Sequence, residues 1–516
     1  MYGPHGTAVR QAWYIDEIVR NILAHVPSIG RSKTLASCAR VSRAVSEPAL
    51  DMLWSRMTGL YALCELLPRS PDRFEQLVDD RASDASAIDD DASWLRFAFY
   101  ARRVKRLHHH CREGPSERLH QQTFAALVRH ATRLGTPLLP RLEELSWLQF
   151  SRESTECLRF LSPSLRHVTI YCNAQPSQQP VDTPGPSETF AQRGGVLLSL
   201  LNARSPDLEE LSLEGIELPG PLQPLPTFNR LCSLKLGTLT ASVSAILSYC
   251  SVMPTLTSLS VDLSRSDPAY FGAPDIGAPT LQALQDIKVA GSPAAVEELL
   301  QGIQSPALRS ASLSLTIPEH DRDGGARCTG LLGLRFANSL ESVRLEYRRS
   351  PERAHPHSQR AFAHCVRPLF AVRGLRRCTV TIEDASSTSM PDADVEAMAE
   401  AWPKMTALEV FLRSPAELPS ITALAAFSRH CPDLESLRLP IAQDVPALDA
   451  VHGGHGRNGM ESAAKHPLRD LWLSGVCFTL QDSRAVIRYL TRLFPDVNLL
   501  PMLGAGILRA GGVCPI

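Results

Sequence analysis

Residues 208–213 read Leu-Glu-Glu-Leu-Ser-Leu: apolar residues at the first, fourth and sixth positions, separated by variable ones. The same pattern returns along the chain. Its first apolar residues are Leu142, Leu165, Leu208, Leu231, Leu256, Leu284, Leu308, Leu340, Leu375, Met405, Leu434 and Leu468, with a weaker copy at Val104. Alternating apolar positions suit a short strand with one buried face. Most copies are separated by about 23 to 35 residues, which is typical of stacked structural repeats.

Helical patterns fill several stretches between these predicted strands. The clearest helices cover residues 241–249, 294–302, 392–402, 422–430 and 483–494. The sequence therefore predicts an α/β fold in which residues 94–500 form a leucine-rich-repeat solenoid of alternating short parallel strands and helices. Each unit buries its apolar face against its neighbours, so stability is a sum of nearest-neighbour terms. The asparagine ladder of the most regular leucine-rich repeats is missing, which predicts an uneven arc.

Three stretches interrupt the repeats. Residues 69–93 are rich in Asp, Ser and Ala, and this composition predicts a solvated acidic linker. Residues 174–190 and 440–466, rich in Pro and Gln and in Gly respectively, predict insertions in the array. Each of the three stretches could be a binding element on a rigid scaffold or a plain insertion. Residues 501–516 form a tail.

The N-terminal segment, residues 12–68, has a different pattern. Residues 15–57 read IDEIVRNILAHVPSIGRSKTLASCARVSRAVSEPALDMLWSRM and predict three amphipathic helices. The third helix is predicted to open at Ser46, a favourable N-cap residue. The predicted apolar faces are Ile15, Ile18, Val19, Ile22, Leu23 and Val26 on the first helix, Leu35, Cys38, Val41 and Val45 on the second, and Leu50, Leu53, Trp54 and Met57 on the third. So small a segment cannot bury all these side chains by itself, which indicates a partner. The alternative is a helical lead-in to the larger domain.

Three landmarks in this segment carry a resemblance. The order of Ile-Asp-Glu-Ile at 15–18, Val-Ser-Arg at 41–43 and Leu-Trp at 53–54 resembles the F-box, the module that docks onto the Skp-type adaptor of cullin-RING ubiquitin ligases. The resemblance covers about a tenth of the chain. Where the family most often has Leu-Pro at the start, this sequence has Ile15-Asp16, and where it often has an aromatic residue after Val-Ser-Arg, Val45 stands.

Two stretches of the array extend the resemblance. Residues 431–439, Cys-Pro-Asp-Leu-Glu-Ser-Leu-Arg-Leu, are similar to the cysteine-containing leucine-rich repeats that commonly follow an F-box. Residues 137–147, Pro-Leu-Leu-Pro-Arg-Leu-Glu-Glu-Leu-Ser-Trp, resemble F-box proteins of mushroom-type fungi. The resemblance implies a substrate-recognition subunit of an SCF-type ligase, with an adaptor on the N-terminal helices and an unknown target protein on the array. The implied adaptor-binding residues, divided between a small core and a surface, are Ile15, Ile18, Ile22, Leu35, Val41, Leu50, Leu53 and Trp54. The alternative is a leucine-rich-repeat interaction scaffold without a link to ubiquitin.

Composition argues against several other functions. The chain has 53 basic and 54 acidic residues, a net charge of -1, so we expect no general nucleic-acid or membrane-surface binding. No apolar run approaches the roughly 20 residues that cross a bilayer, and the first residues lack the apolar region of a signal peptide. We therefore expect a cytoplasmic or nuclear protein. The 13 cysteines include no Cys-x-x-Cys pair and are predicted to be buried thiols.

Motifs that carry chemistry are weak or missing. The glycines of residues 454–459 match a dinucleotide-binding pattern but lack a preceding strand. Adjacent strand residues point to alternate faces, so His108, His109, His110 and Cys111 are not expected to bind one metal ion. The basic run of Arg102, Arg103, Lys105 and Arg106 could contact phosphate or an acidic peptide, or form the exposed side of the first repeat strand with Val104 and Leu107 inside. We predict the second arrangement, no cofactor and no enzymatic activity. A Cys-His pair formed only in the fold stays open.

Overall fold

Every copy of the repeated pattern forms the same local structure in the computed structural model. The first apolar residue is buried, and a strand begins two residues later, as in Leu208 and the strand Glu210–Glu214. The weak copy at Val104 follows the same rule, with a strand starting at Arg106. The structure describes residues 15–67, 92–110, 127, 135–149, 156–172, 187–215, 228–237, 243–264, 281–318, 321, 323–349, 360–383, 388–413, 415–442, 466–474 and 480–498. The chain divides into two units, residues 1–237 and 238–516.

The first unit opens with three helices, α1 (Asp16–Ala24), α2 (Arg31–Cys38) and α3 (Arg43–Trp54). They pack around a small core of Val19, Leu23, Leu35, Val45 and Ala49. The helix α3 begins at Arg43, a turn earlier than predicted, because Ser42 has the extended backbone of an N-cap residue and its carbonyl accepts from Val45 and Ser46. Val45 therefore belongs to the third helix, where it can reach the core. Two further helices follow, α4 (Tyr61–Cys64) and α5 (Ala92–Ala101).

The sheet of the first unit is parallel throughout. Its strands pair in chain order: β1 (Arg56–Met57), β2 (Arg106–His110), β3 (Glu144–Gln149), β4 (His167–Cys172), β5 (Glu210–Glu214) and β6 (Ser233–Leu236). Residues 56–57 thus add a strand to the repeat array from within the range predicted for the helical domain. The helix α6 (Ser187–Arg204) lies between β4 and β5 and begins inside the predicted insertion 174–190.

The second unit contains eight strands in one parallel sheet, and this confirms the predicted fold class. They are β7 (Ser258–Asp262), β8 (Asp286–Gly291), β9 (Ser310–Ile317), β10 (Ser342–Arg349), β12 (Arg377–Ile382), β14 (Ala407–Leu412), β16 (Ser436–Pro440) and β17 (Asp470–Ser474). A second, three-stranded parallel sheet, absent from the prediction, joins β11 (Arg360–Ala361), β13 (Thr388–Ser389) and β15 (Pro415–Glu417).

Helices return between most of these strands. They are α7 (Val243–Ser251), α8 (Pro293–Gly302), α9 (Gly324–Arg335), α10 (Phe362–Val366), α11 (Asp392–Ala401), α12 (Ala425–His430) and α13 (Leu480–Leu493). Five of the seven match predicted helices, although the predicted range 422–430 begins with a 3-10 turn, Ile421–Leu424. The sequence did not predict α9, because four glycines in its twelve residues weaken the helical pattern.

Strand register places like positions of successive repeats side by side. Leu345 of β10, for example, lies between Leu313 of β9 and Val380 of β12, and all three are buried. Burial alternates along each strand, so one face of the sheet forms the core of the repeats. The intervening residues form the solvent face.

A ladder of side-chain hydrogen bonds links successive repeats at the turns that precede their strands. Its donors stand two or three residues before the first apolar residue of a copy, and each reaches a main-chain carbonyl of a preceding repeat. The donor–acceptor distances are 2.9 Å for Ser205 to Ser162, 2.6 Å for Ser305 to Leu284, 3.2 Å for Trp402 to Leu369, 3.5 Å for Cys431 to Trp402 and 3.0 Å for His466 to Cys431. The carbonyls of Ser162, Leu369, Trp402 and Cys431 also accept a main-chain N–H group of the turn that follows, so the side chain is their second donor, whereas Ser305 supplies the donor for the Leu284 carbonyl.

Several predicted features lie outside the described residues. They are residues 69–91 of the acidic linker, 174–186 of the first insertion, 443–465 of the second with the glycine pattern at 454–459, and the tail 501–516. Residues 92 and 93, predicted as the end of the linker, belong to α5.

Candidate functional site

The first helix divides its apolar stripe between the core and the surface. Val19 and Leu23 are buried in the three-helix core, whereas Ile15, Ile18 and Ile22 remain 48%, 38% and 49% exposed. The spacing of these three residues puts them on one side of α1, next to the buried positions. We call Ile15, Ile18 and Ile22 the isoleucine row. It leaves an apolar strip in water, as the sequence predicted for this segment.

The other predicted adaptor-binding residues occupy three kinds of environment. Val41 is 76% exposed in the turn between α2 and α3. Leu35 is fully inside the core, so it supports the surface from beneath and cannot itself touch a partner. Leu50 and Leu53 are half-buried, and Leu53 packs against the core. The exposed members of the predicted set therefore lie on α1 and in the α2–α3 turn.

Trp54 has an intramolecular partner. Its ring stacks on Tyr100 of α5 with centroids 4.5 Å apart and planes inclined by 31°. The side chain is half-buried between α3 and the helix that precedes the first full repeat strand. Because one ring face is occupied within the chain, Trp54 joins the N-terminal helices to the array.

Charged residues reinforce the same junction. The buried guanidinium of Arg103 pairs with Asp51 and lies 2.5 Å from Glu47, both on α3. It also stands over the ring of Phe99, 4.4 Å from the centroid. Arg20 of α1 reaches Asp51 at 2.7 Å, and the hydrogen bonds that Arg20 donates to the carboxylates of Asp16 and Asp51 raise its pKa. The junction is a charge network that crosses from α1 through α3 to the residues after α5.

The sequence prediction for the basic run is wrong at Arg103. That residue is buried, because the carboxylates of α3 lie against it and replace the water that a buried cation loses. Lys105 is exposed as predicted and Arg106 is half-exposed, and they pair with Glu143 at 2.8 Å and Glu144 at 3.5 Å. Val104 and Leu107 are buried, also as predicted. The sequence around Arg103 gives no local signal for this pairing, since its partners lie more than 50 positions earlier.

The histidine run lies on β2 with alternating directions. Leu107 points inward, His108 lies 3.6 Å from Glu144, and His109 stacks on Trp147 with ring centroids 4.1 Å apart. No group of three potential metal ligands comes together among the described residues. Cys111, the fourth residue of the run, lies outside them.

The prediction of buried cysteines is wrong at Cys232, which is exposed, and Cys38, Cys64 and Cys172 are only half-buried, but burial suppresses the chemistry of the other cysteines considered next. Desolvation raises the pKa values of Cys157, Cys250, Cys328, Cys378 and Cys431 to about 12. A thiol with such a pKa is protonated near neutral pH and is a poor nucleophile. His466 contacts the carbonyl of Cys431 and not its thiol. These five buried thiols therefore contribute to packing, and two of them, Cys328 and Cys431, also donate hydrogen bonds to main-chain carbonyls.

None of the described helices has the length and apolar character required to cross a membrane.

Comparison with known proteins gives little resemblance. No family model and no curated protein matches the chain. Among solved structures, a Bacteroides fragilis protein is 13% identical over 62% of this chain and 86% of its own, with a TM-score of 0.30. TLR13, solved in complex with a single-stranded RNA, is 12% identical over 73% of this chain and 50% of its own, with a TM-score of 0.33. At such scores neither match adds to the repeat fold seen directly in the strands.

Proposed function

We propose that this chain is the substrate-recognition subunit of an SCF-type cullin-RING ubiquitin ligase. The N-terminal helices bind a Skp-type adaptor, and the repeat array binds a target protein. The observation that carries the proposal is the isoleucine row, three exposed isoleucines on a helix whose other apolar residues form a core. Its position in an F-box-like segment ahead of a leucine-rich-repeat array suits that role.

In this role the chain performs no bond chemistry. It holds lysines of the target near a loaded conjugating enzyme and so raises their effective concentration, which is a large factor in rate when the geometry is right. Adaptor affinity is expected to concentrate in a few apolar anchors, as it does in protein interfaces generally. The isoleucine row and Val41 supply such anchors.

The test is co-purification of the full chain with a co-expressed Skp-type adaptor. We expect the double variant Ile18→Asp/Ile22→Asp to lose at least about tenfold in affinity, because the interface would bury two carboxylates in place of two apolar side chains. The stability of the variant should match that of the wild type, since neither side chain belongs to the core.

A matched control introduces two aspartates at exposed apolar positions outside the proposed interface. Val252 and Leu334 are exposed apolar residues of the second unit, so Val252→Asp/Leu334→Asp introduces the same charge away from the proposed interface. This variant should bind the adaptor as the wild type does. Equal binding by the isoleucine-row variant, or a wild-type chain that binds no Skp-type adaptor, would contradict the proposal.

A second candidate is a repeat scaffold without a link to ubiquitin, in which the N-terminal helices cap the first repeat. The stacking of Trp54 on Tyr100, the ion pairs of Arg103 and the pairing of β1 with β2 support this capping role. A capping role does not explain why the isoleucine row is exposed, and we therefore favour the receptor function over the scaffold. The adaptor experiment separates the two, since a scaffold binds its partners whether or not the isoleucine row is intact.

A further inference from the structure

The solvent face of the second-unit sheet carries three cations that have no partner among the described residues. Lys288 of β8, Arg344 of β10 and Arg377 of β12 are exposed, and none of them forms an ion pair or a side-chain hydrogen bond with any residue that the structure describes. Most other charged side chains on this face are engaged: Arg348 pairs with Glu346 at 3.2 Å and lies 3.8 Å from Glu383, and Arg438 pairs with Glu409 at 3.4 Å. We call Lys288, Arg344 and Arg377 the cation triad.

Strand register brings the triad together. Lys288 and Arg344 are both in register with Ser312 of β9, which lies between them, so their backbones are about 10 Å apart. Arg377 is in register with Ser342, two residues before Arg344 on β10, which places it about 7–8 Å from Arg344. Long Lys and Arg side chains at these separations can converge on anionic groups lying between them.

Small hydroxyl residues occupy the positions among the cations. Ser310, Ser312 and Ser342 are half-exposed on the same face, and their hydroxyl groups form no hydrogen bond with the residues described. Such short side chains leave the cations standing above the sheet and offer additional donors to an anion. Asp286 is the one acidic residue of these four strands left unpaired on this face in the described part of the chain, at the edge beside Ser310. The local balance is three free cations to one free anion.

We propose that the cation triad binds an extended, anionic segment of a partner protein across strands β8 to β12. The anionic groups are Asp or Glu carboxylates or the phosphate of a phosphorylated side chain, for which Arg guanidinium groups have a matching geometry. The proposal deepens the receptor function, because it names the chemistry of the target and the place where it binds. A nucleic acid fits less well, because Asp286 and Glu346 would face a continuous phosphate backbone and the described residues of β8, β9, β10 and β12 include no exposed aromatic ring for base stacking.

The experiment measures the binding of labelled peptides to the purified full chain by fluorescence anisotropy at low salt. The probes are an Asp- and Glu-rich peptide, a peptide with phosphoserines in place of the acids, and an Asn- and Gln-rich peptide of the same length. We expect one or both anionic peptides to bind, the uncharged one to bind at least about tenfold more weakly, and added salt to weaken the binding. The stronger of the two anionic probes identifies the source of the charge.

Charge reversal locates the site. Lys288→Glu/Arg344→Glu should weaken binding of the anionic peptide at least about tenfold. The control Lys404→Glu/Arg484→Glu makes the same change in net charge at exposed positions after α11 and on α13, and should keep wild-type affinity. No binding of either anionic peptide, an equal loss in both variants, or a single-stranded RNA that binds more tightly and depends on the same residues would overturn the inference. Adaptor binding is measured separately on the same variants, so a failure here leaves the ligase proposal intact.

Discussion

The ring of Trp54, at the end of α3, stacks on Tyr100 of α5, with centroids 4.5 Å apart. This contact ties the N-terminal helices to the first repeat within the first unit. Together with the buried Arg103 and the pairing of β1 with β2, it makes the helices and the first repeat one packed assembly. An adaptor bound to α1 would consequently be held in a fixed relation to the first repeats.

Replacing Trp54 with alanine should therefore lower stability. We expect Trp54→Ala to reduce the free energy of unfolding by about 2 kcal/mol, less than the 3–5 kcal/mol typical of a fully buried Trp because this side chain is half-buried. Urea unfolding followed by fluorescence measures the change. Trp472→Ala is the matched control, since Trp472 is exposed on β17 and should cost about 0.5 kcal/mol or less.

The same variant also separates two roles of Trp54. If Trp54 serves the junction alone, the folded variant binds a Skp-type adaptor as the wild type does. If it is also an adaptor anchor, as the sequence predicts, affinity falls in addition to stability. If Trp54→Ala unfolds at the same urea concentration as the wild type, the contact with Tyr100 contributes nothing to stability.

Arg103 should be hard to replace. Arg103→Met keeps the length of the side chain but leaves Asp51 and Glu47 without their cation, and we expect a loss of about 1–3 kcal/mol in unfolding free energy. Because Glu47 is largely exposed, the effect should stay below that of breaking a fully buried pair. Arg102→Met is the control. Arg102 is exposed, and of the groups that surround Arg103 it contacts only the ring of Phe99, at 4.9 Å from the centroid. Equal stability of both variants would refute a structural role for the Arg103 pairs.

The hydrogen-bond ladder predicts a cost for removing a serine hydroxyl. Ser305 is buried, donates to the Leu284 carbonyl and accepts from the Ala307 N–H at 3.2 Å. Ser305→Ala leaves that carbonyl buried without a partner and should cost about 1–3 kcal/mol. Ser260→Ala, on the solvent face of β7, should change stability by less than about 0.5 kcal/mol. Thermal unfolding of the two variants provides the comparison.

His466 makes the last repeat sensitive to acid. Its Nδ1 accepts from the Leu468 N–H while its Nε2 donates to the Cys431 carbonyl, so the ring is held neutral. Burial lowers the pKa of His466 below 6.5, although its backbone hydrogen bonds oppose the shift. The unfolded chain therefore binds the proton more readily than the folded one. The stabilising contribution is complete above about pH 6.5 and is lost as the pH falls from there towards the lower folded-state pKa.

Unfolding measured between pH 8 and pH 5 tests this sign. The wild type should lose stability below about pH 6.5 more steeply than His466→Gln, which keeps a side-chain N–H donor but cannot titrate. At pH 8 the variant should be the less stable of the two, because glutamine does not fill the contact of the imidazole with Phe494, whose ring centroid lies 4.9 Å away. Parallel pH profiles for the two proteins would show that His466 does not cause the dependence.

Local sequence patterns predicted much of the array and little of the junction. The alternation of apolar residues predicted the strand that follows Leu208 and the strands on either side of Leu345. A strand with one buried face needs apolar residues at every second position. The helix α9 escaped prediction because glycines obscure its period, although Leu332 and Cys328 anchor it in the core. The partners of Trp54 and Arg103 lie about fifty positions away and leave no periodic signal.

The sequence alone determined the repeat architecture, the phase of each strand and the presence of three amphipathic helices at the N-terminus. These properties depend on local spacing, which the chain carries in every segment. Only the tertiary structure decided which half of the α1 stripe is exposed, that Leu35 lies inside, and that Trp54 contacts Tyr100. An apolar stripe shows which side chains favour burial, but the packing of segments distant in sequence decides which of them are buried.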